Sequence, residues 1–229
     1  ATGVISSYNY PVRNMVLSPY KFLEIIYEDG DEFWLGTVNG LLNWNRKTLK
    51  WKHYSRNSGA DKSLSADVVF TVCNDAKYPN HFLWVGTNGG GLNCLNKKTG
   101  IVRKYSLKEG LPNTVVYGVL SDQLGRLWMS SNKGLSCFTP KYEVTNNVIS
   151  VSGGTFKNYE ENDGLQSNEF NRYAYSKGKD GTLFFGGING LNYFHPSDIK
   201  VNNYIPEVLI TDFRLTIGVL LNLKSVINT

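Results

Sequence analysis

Four polar side chains in one short run, Asn168, Glu169, Asn171 and Arg172, are the residues of this 229-residue chain best equipped for chemistry. They stand in the stretch Gly164-Leu165-Gln166-Ser167-Asn168-Glu169-Phe170-Asn171-Arg172-Tyr173. Amide and carboxylate groups of this kind are the partners that sugar hydroxyls take. Catalysis is a poorer fit. Glycoside hydrolysis needs two carboxylates placed across the scissile bond, whereas Asp29, Asp75 and Asp122 fall at equivalent places of a repeat, as a structural role predicts. Ser121-Asp122-Gln123-Leu124-Gly125-Arg126-Leu127-Trp128 invites comparison with the Asp-box turn, but its aspartate comes one place early and Leu127 replaces a threonine. The Asp box is structural in any case. No Cys or His spacing suggests a metal site, so we assign no catalytic residue, no metal and no cofactor. Cys94 and Cys137 occupy the same place in consecutive repeats and are expected to be buried side by side as free thiols rather than bridged.

The elements that must position these residues are repeats. Phe33-Trp34-Leu35-Gly36-Thr37-Val38-Asn39-Gly40-Leu41 returns as Leu83-Trp84-Val85-Gly86-Thr87-Asn88-Gly89-Gly90-Gly91-Leu92, as Leu127-Trp128-Met129-Ser130-Ser131-Asn132-Lys133-Gly134-Leu135, and as Leu183-Phe184-Phe185-Gly186-Gly187-Ile188-Asn189-Gly190-Leu191. An aromatic anchor at 34, 84, 128 and 184 is followed six or seven residues later by a Gly-Leu pair. Each copy reads as strand, tight turn, strand, because Asn and Gly supply the positive φ of a hairpin turn between apolar runs. A repeat of roughly 40–55 residues built of short strands is the signature of a β-propeller.

An outer strand follows each hairpin, as in Thr99-Gly100-Ile101-Val102-Arg103-Lys104-Tyr105, with a basic residue that discourages edge-to-edge aggregation. Thr2-Gly3-Val4-Ile5-Ser6-Ser7-Tyr8 has the same pattern, so the chain opens on an outer strand. It either completes the last blade or finishes a blade upstream, and the chain reads as a piece of something longer. An inner strand precedes each anchor: Leu64 leads to Asp75 and Leu111 to Asp122, eleven residues in each case. Each unit is thus four strands, and the third carries an insertion around Tyr142 to Ser150, read as a longer loop or an extended hairpin. In the fourth unit Glu169 replaces Val68 and Val115, and Asn171 replaces Phe70 and Tyr117. One reading is a hydrogen-bonded plug that sets the closing blade against the first. The other is a polar patch at the axis or at one mouth of the channel, with Asn168, Glu169, Asn171 and Arg172 as the ligand-binding residues. The plug is the favoured of the two. A buried Glu169 needs a partner either way, and Arg172 is the natural one.

Aromatic content is 13% and charged content 19%, which marks a folded chain with a large core. The net charge of +5 is scattered through the repeats, so nucleic-acid binding is not expected. The five tryptophans align with apolar positions of other repeats and are expected in the core. Val208 to Ile227 is apolar but interrupted by Asp212, Arg214 and Lys224, a pattern that a membrane span tolerates poorly, so the chain is expected to be soluble.

Gly110-Leu111-Pro112-Asn113, Asp122 and Gly125-Arg126-Leu127-Trp128, with Leu83-Trp84-Val85-Gly86-Thr87, resemble the two-component regulator propeller repeat. Asn168-Glu169-Phe170-Asn171 and the run from Gly181 to Pro196 resemble the last blade of that propeller, and Pro206 to Leu215 resembles the opening of the small β-sandwich named for its three tyrosines. The resemblance implies an all-β chain: 1–200 as about four four-stranded blades of a seven-bladed propeller, and 201–229 as linker and the start of the sandwich. It further implies the periplasmic, extracytoplasmic sensor region of a membrane-anchored hybrid two-component histidine kinase that works as a homodimer and takes an oligosaccharide or another small ligand. No phosphotransfer chemistry resides in this chain on that reading, since His53, His81 and His195 lack the context of a phosphoacceptor. The competing readings are a propeller glycosidase or polysaccharide lyase, and a propeller that serves protein interaction alone. The open faces of the end blades of a four-unit piece are expected to drive self-association.

Overall fold

Period-two alternation between turn signals produces four antiparallel meanders in a computed structural model, which describes residues 23–59 and 61–199. The first sheet holds β1 (Leu23–Asp29), β2 (Glu32–Thr37), β3 (Gly40–Asn45) and β4 (Trp51–Tyr54) in sequential order. The second holds β5 (Val69–Asn74), β6 (Phe82–Thr87), β7 (Leu92–Asn96) and β8 (Val102–Tyr105). The third holds β9 (Gly118–Ser121), β10 (Leu127–Ser130), β11 (Leu135–Thr145) and β12 (Val148–Tyr159). The fourth holds β13 (Phe170–Lys177), β14 (Leu183–Gly187) and β15 (Gly190–Phe194). The fold is all-β, built of propeller blades. The fourth blade corrects the expectation of four strands: among the described residues its sheet has three, because no outer strand of the repeating type follows Phe194. The sandwich expected at 201–229 and the closing strand expected at 2–8 lie outside the described residues.

The repeat is exact in register. Trp34 pairs with Asn43, Trp84 with Cys94, Trp128 with Cys137 and Phe184 with Tyr193. Trp84 and Trp128 are fully buried between neighbouring sheets, and each indole Nε1 donates to an aspartate of its own blade, at 2.8 Å to Asp75 and 3.0 Å to Asp122. Asp29 is the equivalent in the first blade. It turns instead to Asn74 at 3.1 Å and Lys97 at 2.5 Å in the next blade, and among the described residues the Trp34 Nε1 has no hydrogen-bond partner. The three carboxylates are therefore structural, as their spacing predicts. Trp34 is buried like its counterparts, whereas Trp44 and Trp51 are only partly buried and stack on each other with centroids 5.7 Å apart. That narrows the expectation that all five tryptophans are core.

Blades are sewn together by their turns. The Gly40 N–H donates to the Asp67 carbonyl at 2.6 Å, Gly91 to Thr114 at 2.7 Å and Gly134 to Asn168 at 2.6 Å, each time from one blade to the segment that opens the next. Side chains between the sheets supply the burial: Trp34, Leu83 and Leu95 lie in one cluster, Trp84, Leu127 and Phe138 in the next, and Trp128, Leu183 and Phe185 in the third. Cys94 and Cys137 are buried free thiols.

The insertion in the third blade is an extended hairpin. β11 and β12 pair from Leu135↔Tyr159 out to Thr145↔Val148, and Asn146 and Asn147 turn the corner at φ of 51° and 61°. Two consecutive left-handed residues give the turn type whose twist matches the flanking strands, and asparagine tolerates that region best after glycine. The hairpin reaches back over the second blade, where Tyr142 meets Tyr78 edge-on at 4.9 Å and donates its hydroxyl to Asp75 at 2.5 Å. Burial first, and then the Asp75 carboxylate, push the Tyr142 phenol far above its ordinary range.

Candidate functional site

In the first, second and fourth blades the innermost strand opens where its ladder is broken. In the first blade Leu23 pairs with Thr37 and Ile25 with Gly36, so Glu24 is the extra residue. In the second, Val69 pairs with Thr87 and Thr71 with Gly86, so Phe70 is extra. A bulge of this kind turns one side chain out of the sheet. The fourth blade carries a larger one. Phe170 pairs with Gly187 and Tyr175 with Phe185, which leaves Asn171, Arg172, Tyr173 and Ala174 opposite Gly186 alone. Tyr173 sits at φ 67°. A bulky residue in the left-handed region is strained and persists only where its surroundings hold it.

The displaced residues converge. The Arg172 guanidinium lies over the Phe70 ring at 4.8 Å and over the Tyr173 ring at 4.7 Å, and its Nη1 is 3.5 Å from the Glu24 carboxylate. Phe70 in turn stacks on Tyr117 of the third blade at 5.9 Å. Residues at or just before the start of four innermost strands thus share one cluster. Arg172 is 43% exposed, whereas the Glu24 side chain is only 7% exposed, so the pair presents its cation outward. Beneath it, the Tyr175 hydroxyl donates to Thr71 Oγ1 at 3.0 Å, and the same oxygen accepts the Val119 N–H at 3.2 Å. Tyr175 lies across Gly118, where any Cβ would strike its ring. Burial raises the Tyr175 phenol above its usual range and outweighs the opposing effect of its contact with the Thr71 hydroxyl, so the Tyr175 hydroxyl remains a donor.

The four sequence-expected residues split between two roles. Asn168 belongs to the seam between the third and fourth blades: its carbonyl accepts from Gly134 at 2.6 Å and its Oδ1 from the Glu161 N–H at 2.8 Å. Glu169 is exposed, which corrects the expectation of a buried glutamate. Its backbone serves the seam, since its carbonyl accepts from Ile188 N at 3.2 Å and from Gln166 Nε2 at 3.2 Å, which leaves the carboxylate free to face solvent. The expected Glu169–Arg172 pair is likewise corrected: Arg172 takes Glu24 instead, because the bulge swings it toward the first blade. Asn171 is exposed on the bulge beside Arg172. Sequence reasoning missed Glu24, Phe70 and Tyr117 as partners of the site. A signal for the bulge was present, since the eleven-residue spacing of Leu64 to Asp75 and Leu111 to Asp122 becomes thirteen between Leu165 and Gly178.

Exposed amide, carboxylate and guanidinium groups beside aromatic faces suit a neutral polar ligand with an apolar side. Among the described residues no group of His, Cys, Asp and Glu is arranged to hold a metal ion. Among the same residues no helix is long and apolar enough to cross a membrane.

Fold and register together define a chain of β-propeller blades with a polar cluster where the innermost strands begin. Among solved structures, the extracellular domain of one hybrid two-component system from B. thetaiotaomicron superposes with a TM-score of 0.55 at 21% identity, over 77% of this chain and 23% of that one. A second such domain from the same organism gives a TM-score of 0.50 at 21% identity, over 78% of this chain and 28% of that one. Among curated proteins, histidine kinase P4 of Formosa agariphila is 37% identical over 107 residues, which are 47% of this chain and 7% of that protein. This chain therefore spans a small part of each relative. No family model matches it.

Proposed function

We propose that this chain is the ligand-sensing part of a hybrid two-component signalling protein, on the periplasmic side of the membrane, and that it receives an oligosaccharide at the cluster of Arg172, Glu24, Phe70 and Tyr117. The observation that carries the reading is the enlarged bulge of β13. It holds Tyr173 in a strained conformation and spends ladder pairs to bring Asn171 and Arg172 beside aromatic rings. Strain and broken pairing that the rest of the fold tolerates are features of sites rather than of cores. The relatives' descriptions as extracellular domains of two-component systems and as a histidine kinase support the sensor role. On this reading the chain is not itself an enzyme, and the kinase it informs lies outside it. Self-association into a homodimer is part of the same reading, supported by the open face of the fourth sheet, where Leu191 and Tyr193 are 55% and 70% exposed.

The test is a thermal-shift and calorimetric screen of the chain against defined oligosaccharides. A ligand bound to the native state raises its apparent stability by mass action. A shift that disappears in Arg172→Gln, while the unliganded melting curve stays cooperative, supports the reading. A blank panel on a well-folded protein sinks the oligosaccharide part of it.

A further inference from the structure

We propose that a groove between the first and second blades holds the anionic group, carboxylate or sulfate, of a saccharide. It adds a second contact region, apart from the Arg172 cluster, and it rests on the proposed sensor reading. The groove has a volume of about 270 Å³ and is lined by Lys52, His53 and Tyr54 of β4, by Lys62 of the connecting loop, and by Lys98 to Gly100 of the β7–β8 turn. Three lysines therefore face one concavity from three separate segments. Among the described residues none of the three makes an ion pair, although seven other pairs form in the same structure. Neighbouring cations left without a carboxylate repel one another, and an anion between them relieves that repulsion.

The walls of the groove are built. The Asn96 side chain accepts the Lys98 and Thr99 N–H groups, both at 3.0 Å, which fixes the turn that presents Lys98. The His53 Nε2 meets the Asn39 carbonyl at 2.7 Å. A carbonyl can only accept, so that nitrogen carries the proton and the ring is held in one orientation. Tyr54 and the Lys62 stem lie against Gly100, where a Cβ would be in ordinary contact with them at 3.5 and 3.7 Å. It is the φ of 77°, rather than space, that favours glycine there.

The next seam differs in how its cations are tied. Arg103, Lys104 and Tyr105 stand there in place of Lys52, His53 and Tyr54. The long hairpin of the third blade reaches Arg103, which donates to the Val151 carbonyl at 3.2 Å, and both Arg103 and Lys104 stay exposed. The β7–β8 turn is short, so no hairpin arm reaches the cations of the first seam, which line a hollow instead. Its lining offers ammonium groups, a hydroxyl and an imidazole but no carboxylate. That set selects an anion over a neutral group, and the saccharide that carries it is taken from the sensor reading.

The experiment is calorimetric titration of the full chain with tetragalacturonate, a sulfated galactan tetrasaccharide and neutral galactotetraose, at low and high salt. The expected result is preference for a charged probe, weakening with salt. Binding of that probe should fall about tenfold or more in Lys52→Gln/Lys62→Gln/Lys98→Gln, the scale of one lost charge-assisted hydrogen bond. All three lysines are exposed, so the variant should melt like the parent. Undiminished binding of the charged probes by the triple variant overturns the proposal. If Arg172→Gln alone abolishes binding, neutral probe included, the sensor reading stands and the groove is excluded. If no saccharide binds, the saccharide reading falls with this one. Lysine-dependent binding of inorganic sulfate without any saccharide overturns the assignment of a sugar.

Discussion

The second and fourth blades start from the same repeat and have diverged in opposite directions. In the second, every residue of β6 is buried, and Trp84, Asp75 and Tyr142 close a polar knot inside an apolar core. In the fourth, Phe184 stands where Trp84 does, and Gly178 occupies the place of Asp75, two residues past the partner of the aromatic anchor. Donor and acceptor have been lost together, which leaves no orphan and costs little. Phe184 is only partly buried and stacks on the exposed Tyr193. The polar groups of the fourth blade have moved to the other end of the sheet, onto the bulge with Asn171 and Arg172. One blade spends its polarity on holding a core together; the other presents it to solvent.

The widest gap between the two blades should appear on truncation of the anchor. Trp84→Ala should cost about 3–5 kcal/mol by urea denaturation, as large aromatic deletions in cores do. Phe184→Ala, at a partly exposed position, should cost less than about 1 kcal/mol. Equal losses would mean that the fourth sheet is covered in solution. Next, Asp75→Ala leaves the Trp84 indole and the Tyr142 hydroxyl unpaired and should cost about 2–3 kcal/mol, whereas Tyr142→Phe should cost only about 1 kcal/mol.

Alkali separates the blades in a different way. Burial lifts the Cys137 thiol from 9.0 to about 11 and also raises Cys94. A folded pKa above the unfolded one gives stability that is complete below the unfolded value and is lost as pH rises through the folded value. The urea midpoint should therefore hold below pH 9 and decline toward pH 11. Cys137→Ala should flatten part of that decline, and a midpoint independent of pH across this window would contradict the burial of the thiols.

Smaller effects belong to the bulge. Arg172→Gln strips the partner from a Glu24 side chain that is little exposed, and should cost about 1–2 kcal/mol because Arg172 itself is screened by solvent. Glu169→Ala should change stability by no more than about 0.5 kcal/mol, as at other exposed positions. Loss of folding in that variant would restore the buried plug expected from sequence; loss of ligand response alone would support the site.

Sequence reading went furthest where the repeat is strict. The Trp-to-Gly-Leu spacing located every central hairpin, and alignment of Trp44 with Leu95, Phe138 and Phe194 matches the observed register. Asn146 and Asn147 sit at the turn of an insertion that was legible as a longer loop or an extended hairpin but not as a clamp, because reaching Asp75 depends on the angle between blades. The polar departure near Glu169 was visible as a violation of pattern. Its geometry was not, since a bulge changes which way each side chain points, and Glu24 lies 148 residues before Arg172 in the chain. No local rule joins them; only the closing of inner strands around a common centre does.

The hairpin of the third blade also bears on how such chains come to differ from one another. The ladder from Leu135↔Tyr159 to Phe138↔Phe156 matches the short hairpin of the second blade, and all the added pairs lie beyond it. Lengthening at that end displaces no residue of the inner strands and shifts no register below. A duplicated unit can therefore acquire a new arm in small steps of paired residues, each tolerated on its own, and begin to touch its neighbour before any selection for the contact exists. The outer corner of a blade is the place where copies of one module have room to become different parts.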